Sequence, residues 1–128
     1  MNIVKLPDCE LDIMLAMWDN KNSMRAPEIL ELLKDKHTWS ISTLYTMLDR
    51  LYEKKFVSIE YSKRFRYYSA VISKEEYGNM EMNSLVQRLF GNSSKNFIAS
   101  LINTKTISQE QFNELAELFD KGSGDEDS

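Results

Sequence analysis

Residues 43–68, TLYTMLDRLYEKKFVSIEYSKRFRYY, change within one short stretch from a helical to a strand-like pattern. The apolar residues Leu44, Leu48 and Leu51 first recur at helical spacing. After Lys55, aromatic and β-branched residues alternate with polar and basic ones, which is typical of a pleated sheet. The stretch therefore predicts a helix that leads directly into a β-hairpin, with the basic sequence SKR at or near its turn.

Helical spacing also recurs on both sides of this stretch. The apolar stripes predict six helices, over about 8–18, 27–36, 41–55, 74–90, 95–102 and 109–120. Asp8 and Ser40 are the predicted N-caps of the first and third helices, and capping boxes begin at Ser73 and Ser108. Gly91 is expected to end the fourth helix.

Three helices followed by a hairpin are the layout of a winged helix-turn-helix, in which the last helix enters the DNA major groove and the hairpin, or wing, touches the flanking backbone. The predicted fold class is mainly α with a small two-stranded β-hairpin. We expect a winged helix-turn-helix DNA-binding domain over residues 1–72 and a helical region over 73–120. The polar, acidic and glycine-rich segment 121–128 is predicted to be disordered.

The net charge of −4 hides an uneven distribution along the chain. Residues 1–72 carry 11 basic and 10 acidic side chains, whereas residues 73–128 carry 5 and 10. Residues 40–72 alone carry 6 basic against 3 acidic side chains. Because attraction to phosphates depends on local surface charge, an acidic protein with one basic face can still bind DNA.

The third helix and the hairpin together carry the residue types that DNA recognition needs. Short hydroxyl side chains can read base edges, and cations on an adjacent ribbon can hold phosphates. The predicted DNA-binding residues are Ser40, Ser42, Thr43, Tyr45, Thr46, Arg50, Lys63, Arg64 and Arg66. Two alternatives stay open: the hydroxyls could form an ordinary solvated face, and the cations could protect the hairpin edge from aggregation. The hairpin aromatics are expected to pack against the helices rather than to stack on single-stranded bases.

Several function classes are disfavoured. No apolar run approaches the roughly 18 residues of a membrane span, and the N-terminal sequence does not resemble a signal peptide, so we expect a cytoplasmic protein without membrane insertion. Cys9 is the only cysteine and His37 the only histidine, which leaves no internal disulfide and no zinc ligand cluster. Neither has an evident catalytic partner, so we expect no enzyme activity and no cofactor.

Four segments in order resemble the landmarks of a known family: LPDCELDIMLAMW at 6–18, APEILELL at 26–33, WSISTLYTMLDRL at 39–51 and SKEEY at 73–77. They are similar to segments of the penicillinase and methicillin-resistance repressors of the BlaI/MecI type, to which copper-transport repressors are related. The resemblance covers about residues 6–119. It implies a homodimeric transcriptional repressor whose winged helices bind the half-sites of a palindromic double-stranded operator.

The resemblance also implies that residues 73–120 form the dimerisation region. The apolar residues there are more than such short helices can bury alone, which fits a dimer, although packing back onto the winged domain is the alternative. The predicted dimerisation residues are Tyr77, Leu85, Leu89, Phe90, Phe97, Leu101, Phe112, Leu115 and Phe119.

In the resistance branch, repression is relieved when a membrane-bound sensor of β-lactams triggers cutting of the repressor at an Asn-Phe bond in the fifth helix. The corresponding bond here is Ser100-Leu101, and an Asn-Phe pair occurs one turn earlier at Asn96-Phe97. The resemblance therefore implies control of a β-lactam-resistance operon, a sensor protease as partner, and one of these two bonds as the cut site.

The chain also departs from the family pattern. Ser42 and Tyr45 stand where the resistance branch commonly has basic residues, so the operator sequence cannot be transferred. Phe56 replaces a glycine after the paired lysines, which predicts a reshaped turn at the start of the wing. The cysteine-rich metal site of the copper branch is missing from the sequence. A winged-helix protein-interaction module without sequence-specific DNA binding is the competing function.

Overall fold

The computed structural model describes residues 2–20, 22–91, 94–105, 108–111, 113, 114 and 117. Its elements are α1 (Asp8–Trp18), β1 (Ser23–Met24), α2 (Ala26–Leu33), α3 (Ile41–Glu53), β2 (Val57–Ser62), β3 (Phe65–Ala70), α4 (Lys74–Phe90) and α5 (Ser94–Asn103). Residues 109–111, 113, 114 and 117 are also helical. The mainly helical fold class with a small antiparallel sheet is confirmed.

The sheet has three strands rather than the two that the sequence predicted. The strand order is β1-β3-β2, and both pairings are antiparallel. The added strand, β1, pairs Met24 with Tyr68. Two residues are too few to show the alternating pattern by which a strand is recognised in a sequence, which is why β1 was missed.

Capping chemistry explains most of the helix starts. The Ser40 hydroxyl accepts the Thr43 N–H at 3.1 Å, as predicted for the N-cap of α3. Ser73 and Ser108 both form their predicted capping boxes. The N-cap prediction for Asp8 is wrong: Pro7 is the N-cap of α1 and makes no side-chain capping bond. Asp8 lies instead in the first helical turn, where its charge favours the helix dipole.

The wing begins with a Schellman motif that uses a lysine where glycine is usual. The N–H of Phe56 bonds the Leu51 carbonyl at 2.9 Å, and the N–H of Lys55 bonds the Tyr52 carbonyl at 3.0 Å. Lys55 takes the left-handed conformation, with φ of 68°. Phe56 is thereby turned fully into the core. Whether this turn differs from that of the family, as the replacement of glycine predicts, stays a prediction.

The chain divides into two compact units between Glu81 and Met82, within α4. The core of the first unit draws on α1, α2, α3, the sheet and the first turn of α4. Its fully buried side chains are Ile13, Met14, Met17, Ile29, Leu44, Leu48, Leu51, Phe56 and Tyr68. Tyr77 joins this core, 5.6 Å from the Phe56 ring and 5.9 Å from the Trp18 ring. The predicted domain boundary after residue 72 stays a prediction.

Phe90 and Phe97 make an edge-to-face contact at 5.6 Å in the second unit. Ile98, on the same helix as Phe97, is 5% exposed. Gly91 ends α4 with φ of 61°, as expected for a helix-terminating glycine. Among the described residues, no helix is both long and apolar enough to cross a membrane.

Candidate nucleic-acid interface

The third helix turns its hydroxyl side chains outward. Ser42, Thr43 and Thr46 are exposed, whereas Leu44 and Leu48 on the opposite face are fully buried. The apolar stripe therefore fixes the helix against the core and leaves the polar face towards solvent. Tyr45, at the margin of that face, is half-buried.

Hydrogen bonds orient these hydroxyls before any ligand arrives. The Thr46 hydroxyl donates to the Ser42 carbonyl at 3.1 Å, and the Thr43 and Ser40 hydroxyls lie 3.1 Å apart. A threonine hydroxyl has a single proton, so Thr46 is left with free lone pairs and acts outward as an acceptor. In the major groove, acceptors match the amino groups of adenine and cytosine.

Arg50 continues the same face of α3. Ser42, Thr46 and Arg50 follow one another at intervals of four residues, which places them in line along the helix. Arg50 is exposed in the last helical turn. The helix thus presents hydroxyls first and a cation after them.

The turn of the wing consists of the two cations Lys63 and Arg64. Ser62 pairs with Phe65, so these two residues alone connect β2 to β3. Both have positive φ, 50° and 77°, as a two-residue type I′ turn requires. Such turns usually use Asn-Gly, so Lys63-Arg64 is a weak turn signal in the sequence. Both side chains are exposed.

Arg66 connects the wing to the third helix. Its Nη1 donates to the Tyr68 hydroxyl at 3.1 Å, and its guanidinium lies 5.8 Å from the Tyr45 ring and 5.5 Å from the Tyr61 ring. The hydrogen bond to Tyr68 is the main cause that raises the pKa of Arg66 above its usual value. Burial raises the pKa of Tyr68, and the arginine partly opposes that shift. The hydrogen bond and the aromatic rings therefore orient the Arg66 guanidinium beside α3.

A groove of about 490 Å³ lies between α2, α3 and the wing. Its lining residues are Arg25, Ala26, Pro27, Tyr45, Tyr61, Arg64, Phe65 and Arg66. Sequence reasoning missed Arg25 because it precedes the basic segment 40–72. The guanidinium of Arg25 stacks 3.8 Å from the centroid of the Phe65 ring. The fold thus brings a cation from the start of α2 to the two arginines of the wing.

The predicted dimerisation residues lie in different environments. Tyr77 is 3% exposed in the core of the first unit, whereas Leu85 is 36% and Leu89 66% exposed on α4. Phe90 and Leu101 are half-buried. Phe112, Leu115 and Phe119 lie outside the described residues, as does the segment 121–128 that was predicted to be disordered.

Both candidate cleavage bonds, Asn96-Phe97 and Ser100-Leu101, lie within the helix α5. Asn96 is exposed, and Phe97, Ser100 and Leu101 are half-buried. A protease binds its substrate in an extended form, so either bond would require α5 to open locally.

Within the described ranges, no group of three or more His, Cys, Asp and Glu side chains is placed to hold a metal ion. His37 bonds Asp12 at 2.8 Å and stacks on Trp39 at 3.9 Å. These contacts join α1 to the segment that precedes α3. The contacts of His37 therefore indicate a structural role for this side chain.

Comparison with known proteins places this architecture in a family. A sequence model described as penicillinase repressor matches residues 6–121. The penicillinase repressor of Bacillus licheniformis is 25% identical over 119 residues, covering 93% of this chain and 92% of the relative. The methicillin resistance regulatory protein MecI of Staphylococcus aureus strain N315 is 22% identical over 118 residues, covering 91% and 94%.

Solved structures agree with the sequence comparison. The solution structure of the DNA-binding domain of the repressor BlaI has a TM-score of 0.52 and 30% identity, covering 59% of this chain and 92% of that one. Monomeric Bacillus licheniformis BlaI in complex with the blaP half-operator has a TM-score of 0.51 and 29% identity, with the same coverage. These relatives are repressors, in agreement with the expectation of a regulator rather than an enzyme.

Proposed function

Because the chain belongs to the penicillinase repressor family, and is therefore a transcriptional repressor, we propose that it binds a palindromic DNA operator as a homodimer. The exposed hydroxyl face of α3 beside the arginine-lined groove of the wing is the observation that carries this proposal. The complex of monomeric Bacillus licheniformis BlaI with a half-operator supports the DNA-binding part of this proposal.

The two parts of the interface have different tasks. Base edges would be read by Ser42, Thr43, Tyr45 and Thr46, with Ser40 holding the start of the helix. Phosphates would be held by Arg50, Lys63, Arg64 and Arg66. Hydroxyls on a rigid helix supply sequence discrimination, and the cations supply affinity and register on the duplex.

Paired substitutions in the two parts test this division of tasks. Arg64→Ala should weaken operator and random DNA about equally and reduce the salt dependence of log K by about one. Thr46→Ala should cost about 1–3 kcal/mol on the operator and little on random DNA. The measurement is fluorescence anisotropy with both duplexes at several salt concentrations. Equal losses on both duplexes for Thr46→Ala would contradict base reading by α3.

Dimerisation would use the apolar surface of the second unit. Leu85 and Leu89 are exposed on α4, and a symmetric partner would cover them. Tyr77, buried in the first unit, would not contribute. Two-fold symmetry then requires half-sites one helical turn or a multiple of it apart.

The oligomeric state can be tested by charge on this surface. Leu89→Lys should produce monomers in sedimentation experiments and weaken binding to a full operator, while binding to a single half-site stays unchanged. Val4→Lys, at a similarly exposed apolar position of the first unit, is the matched control. A Leu89→Lys protein that still sediments as a dimer would argue for packing of these helices within one chain.

We further propose that the operon serves β-lactam resistance and that repression ends when a membrane-bound sensor triggers cutting in α5. The support for this proposal is the similarity to a penicillinase repressor and to a methicillin resistance regulatory protein. Mass spectrometry of the repressor from β-lactam-treated cells that carry the sensor should find fragments ending at residue 96 or at residue 100. An intact chain under induced conditions would refute relief by proteolysis.

A further inference from the structure

We propose that Arg25 is a DNA phosphate ligand, which the stacked ring of Phe65 holds in the groove shared with Arg64 and Arg66. The proposal rests on the function proposed above and adds a contact from α2 to those of α3 and the wing. Its ligand is the phosphodiester backbone of the operator strand next to the base-reading face.

Separate contacts hold the backbone and the guanidinium of Arg25. Its backbone N–H donates to the Glu28 carboxylate at 3.0 Å, which anchors it as the N-cap residue of α2. Its guanidinium lies 3.8 Å from the centroid of the Phe65 ring, at the start of β3. A flexible side chain held in this way loses less conformational freedom when it binds a phosphate.

The charges of the groove favour an anion. Its eight lining residues include three arginines and no carboxylate. Three guanidinium groups in one groove repel one another, and a polyanion placed among them removes that repulsion. Arg guanidinium is also the side chain best matched to phosphate oxygens, because its fork of N–H groups can bond two of them.

The helix end itself supplies little of this attraction. Pro27 has no N–H, and the Glu28 N–H already bonds the Arg25 carbonyl at 3.0 Å. The Glu28 carboxylate further offsets the positive end of the helix dipole. The guanidinium groups are therefore the main source of anion affinity, and the charge of Arg25 is the quantity to test.

The neighbouring residues identify the anion as a DNA strand. Tyr45, which lies at the margin of the base-reading face, also lines the groove. Arg64, at the turn of the wing, lines the same groove. A strand whose bases face α3 would therefore carry a phosphate into this groove. The position of the groove beside the proposed base-reading face favours such a strand over a free phosphate ion.

The test compares Arg25→Gln, Arg25→Lys and Lys34→Gln in the full-length protein. Lys34 lies at the opposite end of α2, and its replacement by Gln removes the same charge as Arg25→Gln. Binding to a promoter duplex and to a random duplex of equal length is measured between about 50 and 200 mM salt. Arg25→Gln should reduce the slope of log K against log salt by about 0.9 on both duplexes. Its affinity deficit should therefore be about 3-fold larger at the low end of this range than at the high end.

The other variants separate charge from folding. Arg25→Lys keeps the charge, so its slope should match that of the wild type even where its affinity is lower. Lys34→Gln should leave both slope and affinity unchanged. An Arg25→Gln slope equal to that of Lys34→Gln would overturn the role of Arg25, while DNA binding by the wild type would still support the proposed function. Failure of the wild type to bind any duplex at low salt would overturn both.

Discussion

Replacing the wing turn Lys63-Arg64 by Asn-Gly should stabilise the protein and weaken its binding to DNA. Both residues have positive φ, which costs side-chain-bearing residues about 1–2 kcal/mol each. Asn and Gly adopt this conformation readily, but Gly also adds about 0.5–1 kcal/mol of conformational entropy to the unfolded chain. The net gain in the free energy of unfolding should therefore be about 1–3 kcal/mol.

The loss of binding follows from the two charges removed. Each phosphate contact contributes about 0.9 to the slope of log K against log salt, so the slope should fall by about 1.8. Over a fourfold change in salt, the ratio of wild-type to variant affinity should then change about 12-fold, with the larger deficit at low salt. Operator and random DNA should be affected alike, because phosphates carry no sequence information.

Lys55→Gly is the matched control for this variant. Lys55 also has positive φ, 68°, at the end of α3, but it is not among the proposed DNA contacts. It should stabilise the protein by about 1 kcal/mol, since glycine is preferred at this position, and leave the salt slope unchanged. Urea denaturation and anisotropy titrations measure the two effects. If the Asn-Gly variant is stabilised and retains the wild-type slope, the cations of the turn do not touch phosphates.

Three further predictions concern the first unit. Tyr77→Phe removes the acceptor of the buried Leu6 N–H, 2.9 Å away, and should lower the free energy of unfolding by about 1–3 kcal/mol in urea titrations; a change below about 0.5 kcal/mol would contradict this role. Burial raises the pKa of Tyr68 and Tyr77, so above about pH 10 the unfolded chain loses protons that the native protein keeps; stability should fall there, and Tyr77→Phe should make the fall shallower. Glu10→Gln breaks the 2.6 Å ion pair of a buried carboxylate with Lys54 and should cost about 1–3 kcal/mol, whereas Asp19→Asn, in an exposed pair with Lys74, should change stability by less than about 1 kcal/mol.

The helices were predictable from the sequence because their signals are local. Ser40 and Ser73 cap helices through bonds that span only three residues, and apolar spacing marks the buried face of each helix. The outward orientation of Thr46 followed from the same spacing. Such features depend on residues that are neighbours along the chain.

The missed features depend on contacts between distant residues. β1 exists because Met24 meets Tyr68, and Arg25 enters the groove because Phe65 offers its ring. Each pair is separated by about 40 residues, so no local pattern reports it. The sequence therefore indicated the exposed hydroxyl face of α3 but could not show that the start of α2 adds a cation to the groove beside the wing.

The individual contacts that hold the groove arginines Arg25 and Arg66 are weaker than the burial of apolar side chains that holds α3 against the core. Leu44, Leu48 and Leu51 are fully buried, and truncating such side chains typically costs about 2–5 kcal/mol each. Arg25 and Arg66, by contrast, are half-buried and are held by cation–π contacts worth about 0.5–2 kcal/mol. Arg66 is held in addition by its hydrogen bond to Tyr68, worth about 0.5–1.5 kcal/mol. A phosphate can compete with interactions of that size but cannot shift a helix anchored by its core. Sequence preference should therefore be set by the rigid helix, while the arginines around the groove contribute affinity for the backbone of any duplex.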